Sequence, residues 1–507
     1  MVLRTFGVRA ADPPKTPSAD EPAPRRPSPR ATGALDLARP EGDEVGTDAA
    51  ETAPSGAPDG PPADQPTPPS TPRRRFYLPV AVKFAIAVTC TVGWVAASMW
   101  ISQPWIDELD AVVGAFWAWT VVTLVAYLPG GIVAFLAASL LLDRQPALPA
   151  RPSTAAVTVI IAARNEEGAM TRTLESIARS DHLGVVSVIL ADNGSTDGTV
   201  AEAQEAAERL GLAFSVVHEP TPGKANALNT ALRTVTTDLV VTVDADTLLH
   251  REALRRLITR LEAAPDDTDA VAGTVLVRNS RTNLLTRMQE WDYYLGIAAV
   301  KRMQGLYQAT LVAQGAFSLY RTEALRAVGG WPDAIGEDIV LTWRLMEGGR
   351  RVYFEPTAVA FTDVPEKVPH FMRQRARWAR GMLEGIRSVP PWRQRRPLTK
   401  AVAGVDLLIP FLDIGYVFVW LPGLVLFLLG TPLIVSAWTL AVLPITLLVY
   451  GGVRAYQARH VFGPLGLHVR RNRAGYLAFL LAYQVLCSTA SLAGYAQHLV
   501  GARRRWK

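Results

Sequence analysis

Cysteine is nearly absent from this chain: Cys90 and Cys487 are the only two in 507 residues. Two thiols in apolar stretches make no disulfide framework and read as small buried hydrophobes. Charge is scarce as well, at 19% Asp, Glu, Lys and Arg, against about 25% in soluble domains. With a mean hydropathy of +0.15, that scarcity excludes an ordinary cytosolic globule. A P-loop (GxxxxGK[ST]), a GxGxxG after the first strand, an internal repeat and any DNA- or RNA-binding motif are all missing. The net charge of +6 and the pI near 9.3 therefore do not point to nucleic acid. The N-terminus has no apolar core of a signal peptide.

What is present divides by composition. Residues 1–75 hold 16 of the 37 prolines and few large apolar residues. Such a segment cannot bury enough surface to offset its ordering entropy and reads as a disordered tail. Residues 76–142 carry two apolar stretches, Val80 to Ile101 and Ala111 to Leu142, each long enough to cross a bilayer; Pro129-Gly130-Gly131 predicts a kink in the second. Residues 150–366 have the composition of a soluble domain. A basic, aromatic segment at 367–400 suits an amphipathic helix at a membrane surface. Residues 403–502 contain about three further spans, at 407–429, 433–452 and 475–501. Ile414 to Val453 is uncharged for 40 residues, too long for one helix, so it is split at Gly430-Thr431-Pro432.

Basic residues flank these stretches on one side: Arg73 to Arg75, Arg144 and Arg151, Arg393 to Lys400, and Arg454 to Arg473. The orientation rule for membrane proteins places them, and the soluble domain between them, in the cytoplasm of a multi-pass plasma-membrane protein. Five spans leave one conflict, because Arg503-Arg504-Arg505 then falls outside. Either the rule yields there, or one C-terminal segment is re-entrant or interfacial.

The soluble domain reads as α/β. Val157 to Ala163 is a short β-branched run, a buried strand; Val185 to Ala191, Phe214 to Val217 and Leu239 to Val243 follow the same pattern. Helical spacing occupies 166–179, 197–212 and 225–235. Strands alternating with helices predict a mostly parallel sheet, with ligands beyond the carboxyl ends of its strands. Polar clusters lie there: Ala163-Arg-Asn-Glu166-Glu167, Asp192-Asn-Gly-Ser-Thr-Asp-Gly198, Thr221-Pro-Gly-Lys224 and Asp244-Ala-Asp246. Each alone has a plain explanation as a turn, a helix cap or a solvated charge. Together they suit a nucleoside diphosphate. Two carboxylates at i and i+2 can present oxygens to Mg²⁺ or Mn²⁺ bridging the phosphates. A lysine at a helix N-terminus adds positive charge, and a carboxylate on a neighbouring loop, such as Glu166 or Asp192, can hold a ribose or base. Downstream lie Gly336-Glu-Asp338, before a helical pattern, and Gln374-Arg-Ala-Arg-Trp378.

This ordered set resembles the membrane-integrated processive family-2 glycosyltransferases, the cellulose, chitin, hyaluronan and poly-β-1,6-N-acetylglucosamine synthases. The stretches Gln289-Glu-Trp-Asp-Tyr-Tyr294 and Gly315-Ala-Phe-Ser-Leu-Tyr-Arg321, with the two-span start, are most similar to the last. The resemblance implies a GT-A domain inserted between membrane helices, with inverting transfer from a UDP-sugar donor, UDP-N-acetylglucosamine first, to a growing polysaccharide that is exported across the bilayer. It implies that Asp192 contacts the uridine, Lys224 the diphosphate, and Asp244 with Asp246 the UDP and metal, Asp246 as direct ligand. Asp338 would be the general base, while Gln374, Arg377 and Trp378 grip the diphosphate and frame the acceptor. Two positions depart from the pattern: Ala162 replaces a proline, and Asn193 replaces the second acid of Asp-Asp-Gly-Ser, which could alter nucleobase or donor fit. No PilZ-like barrel follows the last span, so control by cyclic-di-GMP through an attached domain is not expected. Three C-terminal spans are few for a polymer channel, which suggests a small membrane subunit or a second copy. The alternatives are transfer of one sugar to a lipid or polyprenyl-phosphate acceptor, and a non-catalytic scaffold retaining the nucleotide fold.

Overall fold

The computed structural model describes residues 77–144, 146–149, 151–435, 442–467 and 471–502; the expected tail lies outside them. Eight strands form one sheet in the order β3-β2-β1-β4-β7-β6-β8-β5. They are β1 (Val157–Ala163), β2 (Val186–Asp192), β3 (Ala213–His218), β4 (Leu239–Asp244), β5 (Leu248–Leu249), β6 (Thr268–Val277), β7 (Phe317–Arg321) and β8 (Arg351–Thr362). The β3-β2-β1-β4 half is parallel and in the expected places. The other half is mixed, because β7 runs antiparallel to both β4 and β6, while β6 and β8 pair in parallel.

The mixed half departs from the mostly parallel expectation through β7, and its one proline has a local accommodation. β8 contains Pro356, which cannot donate to a ladder. The β6–β8 register jumps there, from Gly273↔Glu355 to Thr274↔Val359, so a bulge accommodates a proline that disguises the strand in the sequence.

Alternation along β1 builds two cores. Val157, Val159 and Ile161 pack on one face with Leu174 and Ile177. Ile160 packs on the other with Leu228 and Leu232. The sheet is thus covered on both faces, and its strand ends are left to carry function.

Among the described residues four helices are long and apolar enough to cross a membrane: Val80–Ile101, Ala115–Leu141, Pro397–Leu428 and Arg473–Leu499. The second contains a π turn at Thr123–Tyr127 just before Pro129, the position of the expected kink; proline lacks the N–H that the ladder needs. Leu428 is followed by Gly430 with φ 88°, at the expected split.

Candidate active site

The loops after β1 and β2 brace each other. Asn165 takes a left-handed φ of 56°. Its side-chain oxygen accepts from Thr196 N (2.8 Å), and its own N–H donates to Ser195 Oγ (3.1 Å). The helix expected from residue 166 begins at Met170 instead. Residues 166–169 form a turn, most of whose N–H groups are taken by Asp197 and by the helix Thr199–Leu210 that follows it. Glu166 N donates to Thr199 Oγ1 (2.8 Å), and Gly168 N and Thr171 N donate to the Glu202 carboxylate (2.5 and 2.9 Å). The helix therefore borrows its cap from the first turn of a different helix.

Asp192 ends β2 and is buried. One oxygen accepts from Ser195 N (3.0 Å) and the other faces His218 Nδ1 (3.0 Å) at the end of β3. Burial raises its pKa, but these hydrogen bonds outweigh it and hold the carboxyl below its ordinary range. Asn193 is buried beside it and points the other way. Its amide donates to Glu219 O (2.9 Å) and Thr221 O (2.8 Å), and its oxygen accepts from Gly223 N (2.7 Å). A carboxylate cannot make the two donations, so Asn193 serves here as the clamp on the loop that delivers Lys224.

Lys224 opens its helix and places Nζ 2.5 Å from Asp244 Oδ1 at the end of β4, and 3.9 Å from Glu337 Oε1. Burial opposes its charge, but Asp244, Glu337 and Asp338 outweigh that and keep it protonated above the usual lysine range. Asp246 lies two residues beyond Asp244 and accepts from Thr362 Oγ1 (3.2 Å). Burial, then repulsion from Asp244 and Glu166, push its carboxyl up to about 6. Glu166 thus faces the Asp-X-Asp pair. Among the described residues no three His, Cys, Asp or Glu side chains converge to hold a metal unaided. The donor set is two hard carboxylates under mutual repulsion. It fits a hard divalent cation whose remaining positions a ligand's oxygens complete.

Asp338 is the second residue of the Glu337–Glu347 helix. Its oxygens accept from Ile339 N (2.9 Å) and Gly315 N (3.3 Å). Glu337 beside it is pushed well above the ordinary range by burial and by Asp338, with Lys224 and Arg377 acting against the shift. Behind Gly315, the buried Lys301 donates to Val312 O (3.0 Å) and to Gln314 Oε1, holding the residue that precedes Gly315. Burial pushes the Lys301 amine down to about 7.

Gln374, Arg377 and Trp378 lie on the Val368–Ser388 helix. That helix meets the Gly336-Glu-Asp338 turn backbone to backbone: a Cβ on Gly336 would stand 2.8 Å from Gly381 Cα, and one on Gly385 would stand 2.8 Å from Ile339 Cγ2. Gly381 and Gly385 are four apart, so one small-residue stripe docks the C-terminal half of the helix. Arg377 is exposed, and its charge acts on Glu337. Gln374 Oε1 is buried with no hydrogen-bond partner among the described residues. Trp378, 36% exposed, has its ring 6.4 Å from that of Tyr293.

Arg375 is the residue of this motif that the sequence does not single out. It is buried, 2.8 Å from Asp292 Oδ2 and 2.8 Å from Tyr483 OH, with its guanidinium 4.2 Å from the Trp378 ring centre. Burial opposes its charge, and Asp292 outweighs burial. Asp292 and Tyr293 sit in a π turn, Asp292–Ile297, a feature frequent at functional sites. They lie within the Gln289 to Tyr294 stretch, which is the only sequence signal for them.

Residues 153–381 match the family model described as "Glycosyltransferase like family 2". The poly-beta-1,6-N-acetyl-D-glucosamine synthase of Staphylococcus aureus (strain MSSA476) is 32% identical over 226 residues, 44% of this chain and 54% of that one. The enzyme of the same name from Staphylococcus epidermidis is 31% identical over 226 residues, with the same shares. The chain spans about half the length of these curated relatives. Among solved structures, the mannosyltransferase PcManGT from Pyrobaculum calidifontis, in complex with GDP-Man and Mn²⁺, shares 22% identity at a TM-score of 0.52. It covers 76% of this chain and 99% of its own, a likeness of fold.

Proposed function

We propose, on the match of residues 153–381 to the family model "Glycosyltransferase like family 2", that the protein polymerises a sugar from a UDP-sugar donor at the membrane, with inversion. The sugar we propose is N-acetylglucosamine, on the likeness to the staphylococcal synthases. The observation that carries the reading is the convergence of Lys224, Asp244, Glu337 and Asp338 at one end of the sheet, with the Gln374–Trp378 helix docked on Gly336.

The roles follow from the chemistry. An acceptor hydroxyl has a pKa far above 7 and needs a base as it attacks the anomeric carbon; Asp338 takes that proton. Its two backbone hydrogen bonds aim the carboxylate. The departing diphosphate gathers negative charge, which Lys224 and Arg377 stabilise as it develops. Mg²⁺ or Mn²⁺, held by Asp246 and Asp244, supplies Lewis-acid neutralisation of the same diphosphate when bound. Asp192 and Glu166 border the nucleoside side. Trp378 offers an apolar face to the C–H groups of the acceptor sugar, and Gln374 an unpaired acceptor oxygen. The other partners in this reading are the growing polysaccharide, the lipid bilayer and a small membrane subunit or second copy that completes the export path.

Full-length protein in detergent or liposomes, with Mg²⁺ or Mn²⁺ and each UDP-sugar in turn, tests this by UDP release and product size. UDP-N-acetylglucosamine should give UDP and a polymer, and Asp338→Asn should lower turnover roughly 10²- to 10⁴-fold. A single added sugar in an organic-soluble product would replace polymerisation with lipid glycosylation. No UDP from any donor would leave the scaffold reading.

A further inference from the structure

The Arg473–Leu499 helix has the length and hydropathy of a membrane span, yet the catalytic domain touches it from end to end. Just before its start, Asn472 O accepts from Trp291 Nε1 (3.0 Å), and Asn472 Nδ2 donates to Arg287 O (2.9 Å) and Glu290 Oε2 (2.6 Å). One-third of the way along, Tyr483 bonds Arg375 and Asp292 (2.8 and 2.9 Å). Further on, Gly494 meets the Val368–Ser388 helix so closely that a Cβ would stand 2.3 Å from Ala376 O. Past its end, Ala502 O accepts from Arg380 Nη2 (2.5 Å). There His498, Gly501 and Ala502 line a cavity of about 710 Å³ with Pro332, Asp333 and Arg344 of the catalytic domain.

A 27-residue helix is about 40 Å long, and the hydrocarbon layer is about 30 Å thick. A helix crossing that layer carries its ends on opposite sides. A domain outside the bilayer can reach one end of it, not both.

The other apolar segments mark the two sides. The catalytic-domain side holds Lys83, bonded to Arg144 O, and Ser139, bonded to Tyr307 OH (2.7 Å). It also holds Arg396, paired with Asp267 (2.7 Å). The far side holds the Gln103–Val113 helix that joins the first two spans, and Trp105 Nε1 donates there to Leu433 O (2.9 Å). By residues 454–457 the chain is back, with Tyr294 OH donating to Arg454 O (3.1 Å) and Gln457 Nε2 to Tyr294 O (2.9 Å). Among the described residues the chain therefore changes sides four times before Asn472: along Val80–Ile101, Ala115–Leu141 and Pro397–Leu428, and between Leu433 and Arg454.

We propose that the Arg473–Leu499 helix does not cross the membrane but lies along its surface. Its inner face rests on the catalytic domain and its outer face sits in the headgroup–acyl boundary of the lipid. The outer face carries Leu477 and Leu481 (59% and 62% exposed), and Leu499 and Val500 (82% and 78%) continue it, the apolar contribution that an interfacial helix needs. Asp413 docks the helix to the Pro397–Leu428 span by accepting from Ser488 Oγ and Tyr495 OH (2.7 Å each). Four crossings leave Ala502 on the catalytic-domain side, which removes the conflict that five spans create for the basic run next to it in sequence. Through Tyr483 and Arg375, a helix in the lipid surface then underlies Trp378.

Sidedness is readable without any enzymatic assay. In full-length protein with Cys90→Ala and Cys487→Ala, single cysteines at Ala502, at Gln497, at Glu208 (exposed on the catalytic domain) and at Asp110 (exposed on the far side) are labelled with an impermeant maleimide. Intact cells and inverted vesicles are compared. Ala502→Cys and Gln497→Cys should label with Glu208→Cys; labelling with Asp110→Cys overturns the proposal. A fluorophore on Leu481→Cys should be quenched most by lipids carrying the quencher near the headgroup. Strongest quenching at the bilayer centre would overturn it as well. Both outcomes are independent of whether any sugar is transferred.

Discussion

The wall of the site formed by the loops after β1, β2 and β4 is cross-braced by short polar contacts, such as Asn193 to Gly223 and Lys224 to Asp244. The wall formed by Gly336–Asp338 and the Val368–Ser388 helix is joined by bare backbone at Gly336 and Gly381 and by Ile335 N donating to Glu384 Oε2 (2.8 Å), while the buried Arg375–Asp292 ion pair ties the same helix to the Asp292–Ile297 turn. The first wall concentrates charge. The second sets distances, and tolerates little change in volume. In the proposed reaction a nucleoside diphosphate needs the former and a positioned acceptor the latter.

Four substitutions would break or sharpen that contrast. The largest effect is expected at Asp246→Asn, where activity and stability should move in opposite directions. Transfer should fall roughly 10³-fold as Lewis-acid help is lost. The raised Asp246 carboxyl, about 6 against an ordinary 3.8, stabilises the fold only while protonated, so its contribution is lost as pH rises through about 6. Metal-free Asp246→Asn should therefore melt higher than wild type at pH 7.5, by on the order of 1–3 kcal/mol. Calorimetry should show the gap closing as pH falls toward 4.

On the second wall, Gly381→Val should push the helix off Gly336 and cost about 10²-fold in turnover through misplacement alone. Donor affinity, measured by UDP protection in a thermal melt, should stay within about threefold if the walls are separable. Equal losses in both would show that they are one unit. Arg375→Lys keeps the charge opposite Asp292 and loses the guanidinium plane over Trp378. Elongation of an added oligosaccharide should fall roughly 10-fold with donor KM unchanged. The smallest effect is expected back on the first wall: Asn193→Asp removes two amide donors, and donor KM should rise roughly 5-fold with kcat nearly constant.

Much of the first wall is legible in the chain because it is local. β1, β2 and β4 are runs of β-branched residues, each followed at once by its polar cluster, so strand and site residue are read together. The second wall is less so. Asp338 and Trp378 stand in recognisable motifs, but Glu337, Tyr293 and Arg375 acquire their roles from neighbours far along the chain. β6 and β8 escape notice because Pro356 interrupts one and a run of small residues fills the other. Asn193 shows a further limit: beside Asp192 it looks like a lost acid in a ligand motif, whereas its hydrogen bonds make it a clamp.

The scarcity of charge and the order of its motifs are enough to establish a family-2 resemblance, an α/β domain and apolar segments around it, since composition and period act over a few residues at a time. Which side of a membrane the last apolar helix ends on is a different kind of question. Hydropathy reports that Arg473–Leu499 prefers lipid to water, and it is silent about direction. Only the contacts at Asn472, Tyr483, Gly494 and Ala502, each reaching more than 100 residues back along the chain, set that helix alongside the catalytic domain.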